Sequence, residues 1–157
     1  MQTNDHKKAQ YTHSLKFVES FAGKNVLVTG AGGAIGKKVC EKLLKAGVNK
    51  LVMYVKARDM DAASKINQAV NSAAGCNKFI VEVVDLKEPT RIEHRFANTM
   101  KQHFGGIIDS LILCHGIIVE KGLHGDKGAT IPEFDESMGL NVRSMMHMVS
   151  MTTPFMK

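Results

Sequence analysis

The 157-residue chain has 44% hydrophobic and 23% charged residues, a composition typical of a globular protein with a sizeable core. Its net charge of +6 would suit an anionic partner, but the basic residues are dispersed and no nucleic-acid motif accompanies them, so we expect no nucleic-acid binding. No apolar run approaches the roughly 18 residues of a membrane span and nothing resembles a secretory signal, while three distant cysteines suit a reducing intracellular compartment, either the cytoplasm or an organellar matrix.

The chain is predicted to divide into an N-terminal extension and one domain. Residues 1–22 form the extension, with a short helix around residues 11–21, and residues 23–157 form the domain. Apolar runs predict strands over residues 25–29, 50–55, 79–84 and within 109–116, with helical spacing between them. This alternation indicates an α/β protein with a parallel sheet covered on both faces.

The first strand, residues 25–29, runs directly into a glycine-rich turn. Glycines let a backbone turn tightly and approach a ligand closely. The free N–H groups at the start of the following helix favour an anion, here the pyrophosphate of a dinucleotide. The alternative is a tight strand-to-helix turn that binds nothing. The residues assigned to this site are Thr29, Gly30, Gly32, Gly33, Ala34, Ile35 and Gly36.

The spacing of the turn excludes two common phosphate-binding motifs. A Walker A loop would require glycine at position 31 and a hydroxyl side chain at position 38, where the chain has Ala31 and Lys38. The G-x-G-x-x-G fingerprint, started at Gly30, reaches Ile35 where a small residue is needed. The apolar face of the helix after the turn is predicted to consist of Ile35, Val39, Leu43 and Ala46.

The second strand, residues 50–55, is followed by the basic residues Lys56 and Arg58. In dinucleotide-binding proteins an acid at this place bonds the ribose hydroxyls, whereas a basic residue accommodates a 2′-phosphate. We therefore expect NADP(H) rather than NAD(H), if a dinucleotide binds. The alternative is that both residues are loop cations on a face that binds nothing.

Two further helices flank the third strand, residues 79–84. Asp59 or Asp61 is predicted to cap the first of them, which has apolar residues at positions 62, 66, 69 and 70. The strand leads into Asp85 and Leu86. Pro89 then begins the third helix, which glycines at positions 105 and 106 bring to an end.

The fourth predicted strand segment, residues 109–116, ends in Cys114, His115 and Gly116. His115 has two interpretations: it faces the nicotinamide ribose of a bound cofactor, or its hydrogen bonds are satisfied within the protein at the strand end. The seven histidines of the chain form no H-x-x-x-H pair and no H-E-x-x-H frame, so we expect no metal site.

The last predicted element is a helix over residues 132–156, after a loop over residues 119–132 that would border a substrate site. Its apolar residues include six methionines and surround much of the helix. Such a helix needs burial on more than one side. The plain interpretation is a core helix rich in adaptable methionine.

Several of these features resemble the short-chain dehydrogenases/reductases, in that family's order and over about residues 22–157. The segment Thr29-Gly30-x-x-x-Ala34-Ile35-Gly36 is similar to the family's T-G-x-x-x-G-x-G turn, with alanine in place of the middle glycine. Asp85 follows the third strand, and Gly116 keeps the last residue of the family's N-N-A-G after the fourth. Asn141, in Leu140-Asn141-Val142, matches the family's asparagine helix.

The resemblance implies a Rossmann-type fold with three layers, α/β/α, and a parallel sheet truncated to about its first four strands, in the order 3-2-1-4. The activity it implies is that of an NAD(P)-dependent oxidoreductase. Asp85 and Leu86 would then lie against the adenine, Cys114, His115 and Gly116 would lie along the cofactor, and Asn141 would belong to the catalytic set.

The serine, tyrosine and lysine that perform catalysis in this family, the last two as Y-x-x-x-K, have no counterpart here. Tyr11 and Tyr54, the two tyrosines of the chain, lack a lysine four positions later, and Asn141 alone cannot transfer the required proton. Two classes of function remain. One is the cofactor-binding part of an oxidoreductase, inactive as this chain alone; the other is a noncatalytic structural subunit of a larger assembly.

For both classes we expect a protein partner. In the family the asparagine helix often lies at a subunit interface. A sheet cut after four strands also leaves Ile112 and Leu113 of the fourth strand at an apolar edge. The partner is expected to cover the fourth strand and the methionine-rich helix.

Overall fold

The computed structural model describes residues 20–61, 63–65, 68, 78–118, 121 and 128–157. The strands in this part of the chain are β1 Asn25–Thr29, β2 Lys50–Val55, β3 Phe79–Val83 and β4 Ser110–Leu113. Its α-helices include α1 Ala34–Lys45, α2 Pro89–Thr99, α3 Ile131–Met138 and α4 Ser144–Thr152. A π-helical turn, Met100–Phe104, follows α2, another, Gly139–Arg143, joins α3 to α4, and 3-10 turns span Ala57–Asp59 and Thr153–Phe155.

The four strands form one parallel sheet in the order β3-β2-β1-β4. Val26 of β1 lies opposite Leu51 of β2 on one side and Ser110 of β4 on the other, and Leu51 lies opposite Phe79 of β3. Parallel neighbours need crossover connections, and α1 supplies the one between β1 and β2. The predicted Rossmann-type α/β fold, with four strands in this order, is confirmed.

The sheet separates two cores, because successive residues of a strand point to opposite faces. On one face Leu27 packs with Ile92 of α2 and Met148 of α4. On the other face Val28 packs with Leu43 of α1. Since β1 is buried on both faces, it gives the turn at its end a rigid base.

β4 is an outer strand of the described sheet, and its residues are half-buried. Just before it, Ile108 donates from its N–H to the carbonyl oxygen of Phe155 at 3.0 Å and forms a parallel bridge with Met156. Phe155 also meets Phe96 of α2 edge to face, with ring centroids 5.9 Å apart. The segment after α4 therefore lies beside the residue pair that precedes β4, and not along β4 itself.

The register of α1 differs from the prediction. Ile35 is 74% exposed, whereas Gly36, Cys40 and Leu43 form the buried face. Placing Ile35 on the apolar face was wrong, because the helix rests on the turn through Gly36 and Ile35 then points away from the sheet. β3 and β4 end at residues 83 and 113, earlier than predicted.

The predicted helix over residues 132–156 is in fact two α-helices joined by the π-helical turn. α3 begins with a capping box: Thr130 Oγ1 accepts from the N–H of Glu133, and the Glu133 carboxylate accepts from the N–H of Thr130. The wider π turn changes the direction of the side chains that follow it. Met138, Val142 and Met146 remain exposed along the segment.

Some predictions fall on other parts of the chain. The predicted extension lies outside the described residues apart from residues 20–22. Positions 62, 66, 69 and 70 of the second predicted helix and most of the predicted loop over residues 119–132 also lie outside them. The domain boundaries therefore stay predictions.

Candidate functional site

The glycine-rich turn packs closely on its neighbours at the carboxyl end of β1. Gly30 has a φ of 64°, in the left-handed region, and a Cβ there would lie 2.6 Å from the backbone nitrogen of His115. A Cβ on Gly36 would overlap the carbonyl oxygen of Gly30, and Gly32 lies against the Asp59 side chain. The packing of the turn thus requires glycine at these positions, with or without a ligand.

The start of α1 is open to an anion. Gly33, its N-cap residue, is exposed and makes no side-chain capping hydrogen bond, and the first turn contains no acidic residue. Ala34 and Ile35 are exposed beside it. Because the first N–H groups of a helix have no acceptor within the helix and the helix dipole is positive there, the residues present fit a pyrophosphate.

A cleft of about 100 Å³ extends from this turn along the carboxyl ends of the strands. The predicted site residues that line it are Gly30, Gly33, Lys56, Arg58, Leu86, Cys114, His115 and Gly116. Asp59 also lines the cleft, with Oδ1 3.9 Å from Nε of Arg58. Its position beside the two cations was not predicted, since the sequence suggested Asp59 only as a helix cap.

A larger side cavity of about 640 Å³ lies next to the cleft, past the end of β2. The two share Lys56, Arg58 and Val84 as lining residues. Asp85, predicted to lie against the adenine, lines the side cavity and not the cleft. The sequence analysis did not predict the other polar residues of the lining, which are Lys87, Thr90, Arg91, His94 and Arg95. Of these, Arg91, His94 and Arg95 have the spacing of one helical face.

His115 is 7% exposed and both of its ring nitrogens have protein partners. Nδ1 lies 2.6 Å from Oγ1 of Thr29, and Nε2 lies 2.8 Å from Oγ of Ser144. Burial, with a smaller effect of the Lys56 cation, lowers the pKa of the imidazole. Of the two interpretations, these contacts favour the one in which the hydrogen bonds of His115 are satisfied within the protein. The ring also borders the cleft. Ser144, one helical turn beyond Leu140, carried no sequence signal.

Asn141 lies in the π-helical turn and clamps the segment after β4. Its Oδ1 accepts from the N–H of Ile117 at 2.9 Å, and its Nδ2 donates to the carbonyl oxygen of Ile117 at 2.8 Å. Nδ2 also donates to Oγ of Ser137 at 3.2 Å. With these bonds Asn141 positions the backbone beside Gly116, where the cleft ends. A proton-transfer role has no support in this geometry.

Tyr54 is a core residue. Its side chain is 1% exposed, and its hydroxyl lies 2.7 Å from Oγ1 of Thr99, which donates in turn to the Glu82 carboxylate at 3.2 Å. Burial raises the pKa of the phenol well above its usual value. The phenol is therefore a poor acid or base near neutral pH. The other tyrosine, Tyr11, lies outside the described residues.

The two described thiols, Cys40 and Cys114, both have raised pKa values. Burial, with a contribution from Cys114, raises the pKa of Cys40 to about 12, and burial raises the pKa of Cys114. In the same part of the chain, no cluster of histidine, cysteine and acidic side chains is suited to a metal ion. None of the helices described there is both long and apolar enough to cross a membrane.

Comparison with known proteins gives a family match over most of the chain. The family model described as short chain dehydrogenase matches residues 24–157. A hydroxynaphthalene reductase-like protein of Metarhizium acridum, Arp2, is 29% identical over 125 residues, which are 80% of this chain and 43% of that protein.

Solved structures share the fold. A blue fluorescent protein from a metagenomic library, in complex with NADPH, aligns with a TM-score of 0.75 at 20% identity, covering 87% of this chain and 52% of its own. An NADPH-bound carbonyl reductase from chicken fatty liver aligns with a TM-score of 0.70 at 18% identity, covering 86% and 49%. The chain thus spans about half the length of each of these three proteins.

Proposed function

Because the chain belongs to the short chain dehydrogenase family, we propose that it binds a nicotinamide dinucleotide and forms the cofactor-binding part of an oxidoreductase. One observation carries the proposal: Gly33, the N-cap of α1 without a capping side chain, lines the same cleft as Lys56 and Arg58. A helix N-terminus beside two cations suits a pyrophosphate and a phosphorylated ribose. The nicotinamide would supply the hydride chemistry.

The chain's own residues bind and orient the cofactor. Residues 34–36 supply N–H groups to the pyrophosphate, and the bare backbone of Gly33 lets it approach. Asp85 borders the adenine end. Cys114 and Gly116, at the other side of the cleft, border the nicotinamide end. His115 supports this edge from within, since its two ring nitrogens bond the hydroxyl groups of Thr29 and Ser144.

The cofactor we propose is NADP(H) rather than NAD(H). Lys56 and Arg58 favour a 2′-phosphate electrostatically, and both solved structures named above contain NADPH. Asp59 acts in the opposite direction, because a carboxylate beside the ribose repels a phosphate. Its contact with Arg58, 3.9 Å between Oδ1 and Nε, partly offsets that charge.

Proton transfer would require residues beyond those described. Tyr54 is buried in the core and Asn141 is bonded to Ile117. We therefore place the acid/base tyrosine and its lysine in further polypeptide, of this protein or of another chain. The outer edge of β4 and the exposed Met138 and Met146 offer surface for that polypeptide.

Titration with NADPH and NADH, followed through the fluorescence of the reduced nicotinamide, tests this function. We expect saturable binding, about tenfold tighter for NADPH, since one charge-assisted contact contributes roughly 1.4 kcal/mol or more. The chain alone should not oxidise NADPH with a carbonyl substrate. Absence of saturable binding of either dinucleotide would overturn the function; equal affinities would overturn only the preference for NADP(H).

A noncatalytic structural subunit is the second candidate. The burial of Tyr54 and the exposed apolar residues of α3, the π turn and α4 favour it. Purification from the native source, with identification of the chains that accompany the protein, separates the two. A companion with Y-x-x-x-K supports the divided enzyme, whereas a large assembly without one supports the structural subunit.

A further inference from the structure

Lysines gather at the amino ends of the strands, at the opposite end of the sheet from the cleft. The N–H groups of Asn49 and Lys50 donate to the carbonyl oxygen of Lys24 at 2.8 and 3.3 Å. The N–H of Leu51 donates to the carbonyl oxygen of Lys78 at 2.9 Å. Because parallel strands begin at the same edge of a sheet, Lys24, Lys50 and Lys78 lie side by side at the starts of β1, β2 and β3.

The ends of two helices add lysines to this surface, because α1 and α2 run back from the carboxyl ends to the amino ends of the strands. Lys45 is in the last turn of α1, just before Gly47, whose carbonyl oxygen accepts from the N–H of Gly23 at 2.9 Å. Lys101 lies in the π-helical turn between α2 and β4. These residues are dispersed in the sequence, and the fold brings them to one end of the sheet. We call this surface the basic face; its members are Lys24, Lys45, Lys50, Lys78 and Lys101.

Acidic residues neutralise only part of the basic face. Asp109, just before β4, pairs with Lys24 at 3.1 Å. Glu41, one helical turn before the end of α1, pairs with Lys38 at 2.8 Å, which is not a member of the face. The exposed members that take part in no ion pair within the described part of the chain are Lys45, Lys78 and Lys101. The face therefore has a surplus of positive charge that an anionic surface would complement.

Exposed apolar side chains border the basic face where it meets β4. Ile107 is 41% exposed, and Met156, which forms a bridge with the neighbouring Ile108, is 45% exposed. Lysines beside exposed aliphatic side chains suit the interface of an anionic bilayer, where the charges meet headgroups and the apolar groups enter the boundary with the acyl chains. Nucleic acid is instead bound on aromatic platforms, and the aromatic ring at this border, Phe155, packs edge to face with Phe96.

We propose that the basic face binds the surface of an anionic lipid bilayer, with Ile107 and Met156 in its headgroup region. The protein lies on the bilayer and does not cross it. Neither the cleft nor the side cavity is lined by residues of the basic face, so both stay open to solvent when the protein is bound. The proposal does not rest on dinucleotide binding, because the two surfaces are at opposite ends of the strands.

Flotation of the full chain with lipid vesicles tests this inference. The chain should bind vesicles of phosphatidylcholine mixed with phosphatidylserine, more weakly as salt is raised, and should not bind phosphatidylcholine alone. One lysine near an anionic bilayer changes affinity about fivefold, so Lys45→Gln/Lys78→Gln should weaken binding about tenfold or more. Lys87→Gln/Lys121→Gln is the matched control. It removes the same charge from segments that follow β3 and β4, and it should weaken binding less than about twofold.

A second variant separates a bilayer from other polyanions. Ile107→Gln/Met156→Gln keeps the charge of the face, and it should weaken vesicle binding about threefold or more while leaving any affinity for a single-stranded oligonucleotide unchanged. Thermal unfolding curves that match the native one confirm that the variants fold. An unchanged affinity for vesicles in this variant would contradict the contact of the apolar border with the headgroup region.

Three other results would overturn the inference. They are no binding to the anionic vesicles, equal weakening in the two lysine variants, and displacement of the protein from vesicles by the oligonucleotide, which would identify nucleic acid as the partner. The proposed function is tested apart from these results, because Lys45→Gln/Lys78→Gln should bind NADPH as the native chain does.

Discussion

Thr29 at the end of β1 and His115 after β4 share a buried hydrogen bond of 2.6 Å between Oγ1 and Nδ1. The rest of the network assigns its direction. Ser144 donates its hydroxyl hydrogen to the carbonyl oxygen of Leu140 at 2.6 Å, so its oxygen accepts from Nε2 of His115. Nδ1 is then the acceptor, and Thr29 is the donor. A neutral imidazole therefore joins β1, β4 and α4 behind the cleft.

Replacing His115 should destabilise the domain. His115→Ala removes two buried hydrogen bonds and leaves a cavity, with an expected loss of about 2–4 kcal/mol in the free energy of unfolding. Urea denaturation followed by circular dichroism measures it. His147→Ala is the control: His147 contacts Glu93 at 3.2 Å near the surface, and its loss should cost below about 1 kcal/mol. Equal losses for the two variants would contradict the network.

The same imidazole should make stability depend on pH. Because burial lowers its pKa in the folded protein, the unfolded chain, with a histidine pKa of about 6.5, binds the proton more readily. The stabilisation is therefore fully present above about pH 6.5 and is lost as pH falls toward the folded pKa. Unfolding free energies at a series of pH values should decrease below this point. The decrease in unfolding free energy should be smaller in His115→Asn, because asparagine does not titrate. If the variant shows the same pH dependence as the native protein, groups other than His115 cause the decrease.

Asn141 should be a positioning residue of the segment after β4. Asn141→Ala removes both hydrogen bonds to Ile117, with an expected loss of about 1–3 kcal/mol. Hydrogen exchange of the Ile117 amide should accelerate beyond this general loss, because its acceptor is gone. Asn49→Ala, which removes an exposed bond to Asn25, should change stability by at most about 0.5 kcal/mol. Unchanged exchange at Ile117 would show that the clamp does not hold the segment.

The strands could be predicted because they depend on local signals, whereas their order followed from the resemblance to the family. The apolar runs of β1 and β2 are buried on both faces, and the sequence marks them without knowledge of their neighbours. The same holds for Pro89 at the start of α2. The cleft residues at the turn and after β2 follow from the same reasoning, since parallel strands bring their carboxyl ends together.

The parts that could not be predicted depend on contacts between distant segments. Ser144 lies within hydrogen-bond distance of His115 because the π-helical turn precedes it, and no sequence pattern predicts that turn. Ile35 has the spacing of a core residue, but contact between Gly36 and Gly30 decides the register of α1. Arg91 looks like one of many dispersed cations until α2 is placed beside the end of β2.

Gly33 offers the sharpest test of the cleft. It has an extended backbone at the N-cap of α1, and a Cβ there would meet only the carbonyl oxygen of Gly30, at 3.4 Å. Aspartate and asparagine are both good N-cap residues. Gly33→Asp and Gly33→Asn should therefore fold, and each should raise the free energy of unfolding by about 0.3 kcal/mol. Aspartate adds a negative charge where we place the pyrophosphate, whereas asparagine adds the same bulk without charge.

The two variants should therefore differ in their affinity for NADPH and not in their free energy of unfolding. Gly33→Asp should bind NADPH at least about tenfold more weakly than Gly33→Asn, because two like charges a few ångströms apart near a protein surface repel by more than 1.4 kcal/mol. Raising the salt concentration should narrow the difference, since ions screen the repulsion. Equal weakening in both would indicate a steric effect of the side chain, and no weakening in either would place the pyrophosphate away from the start of α1.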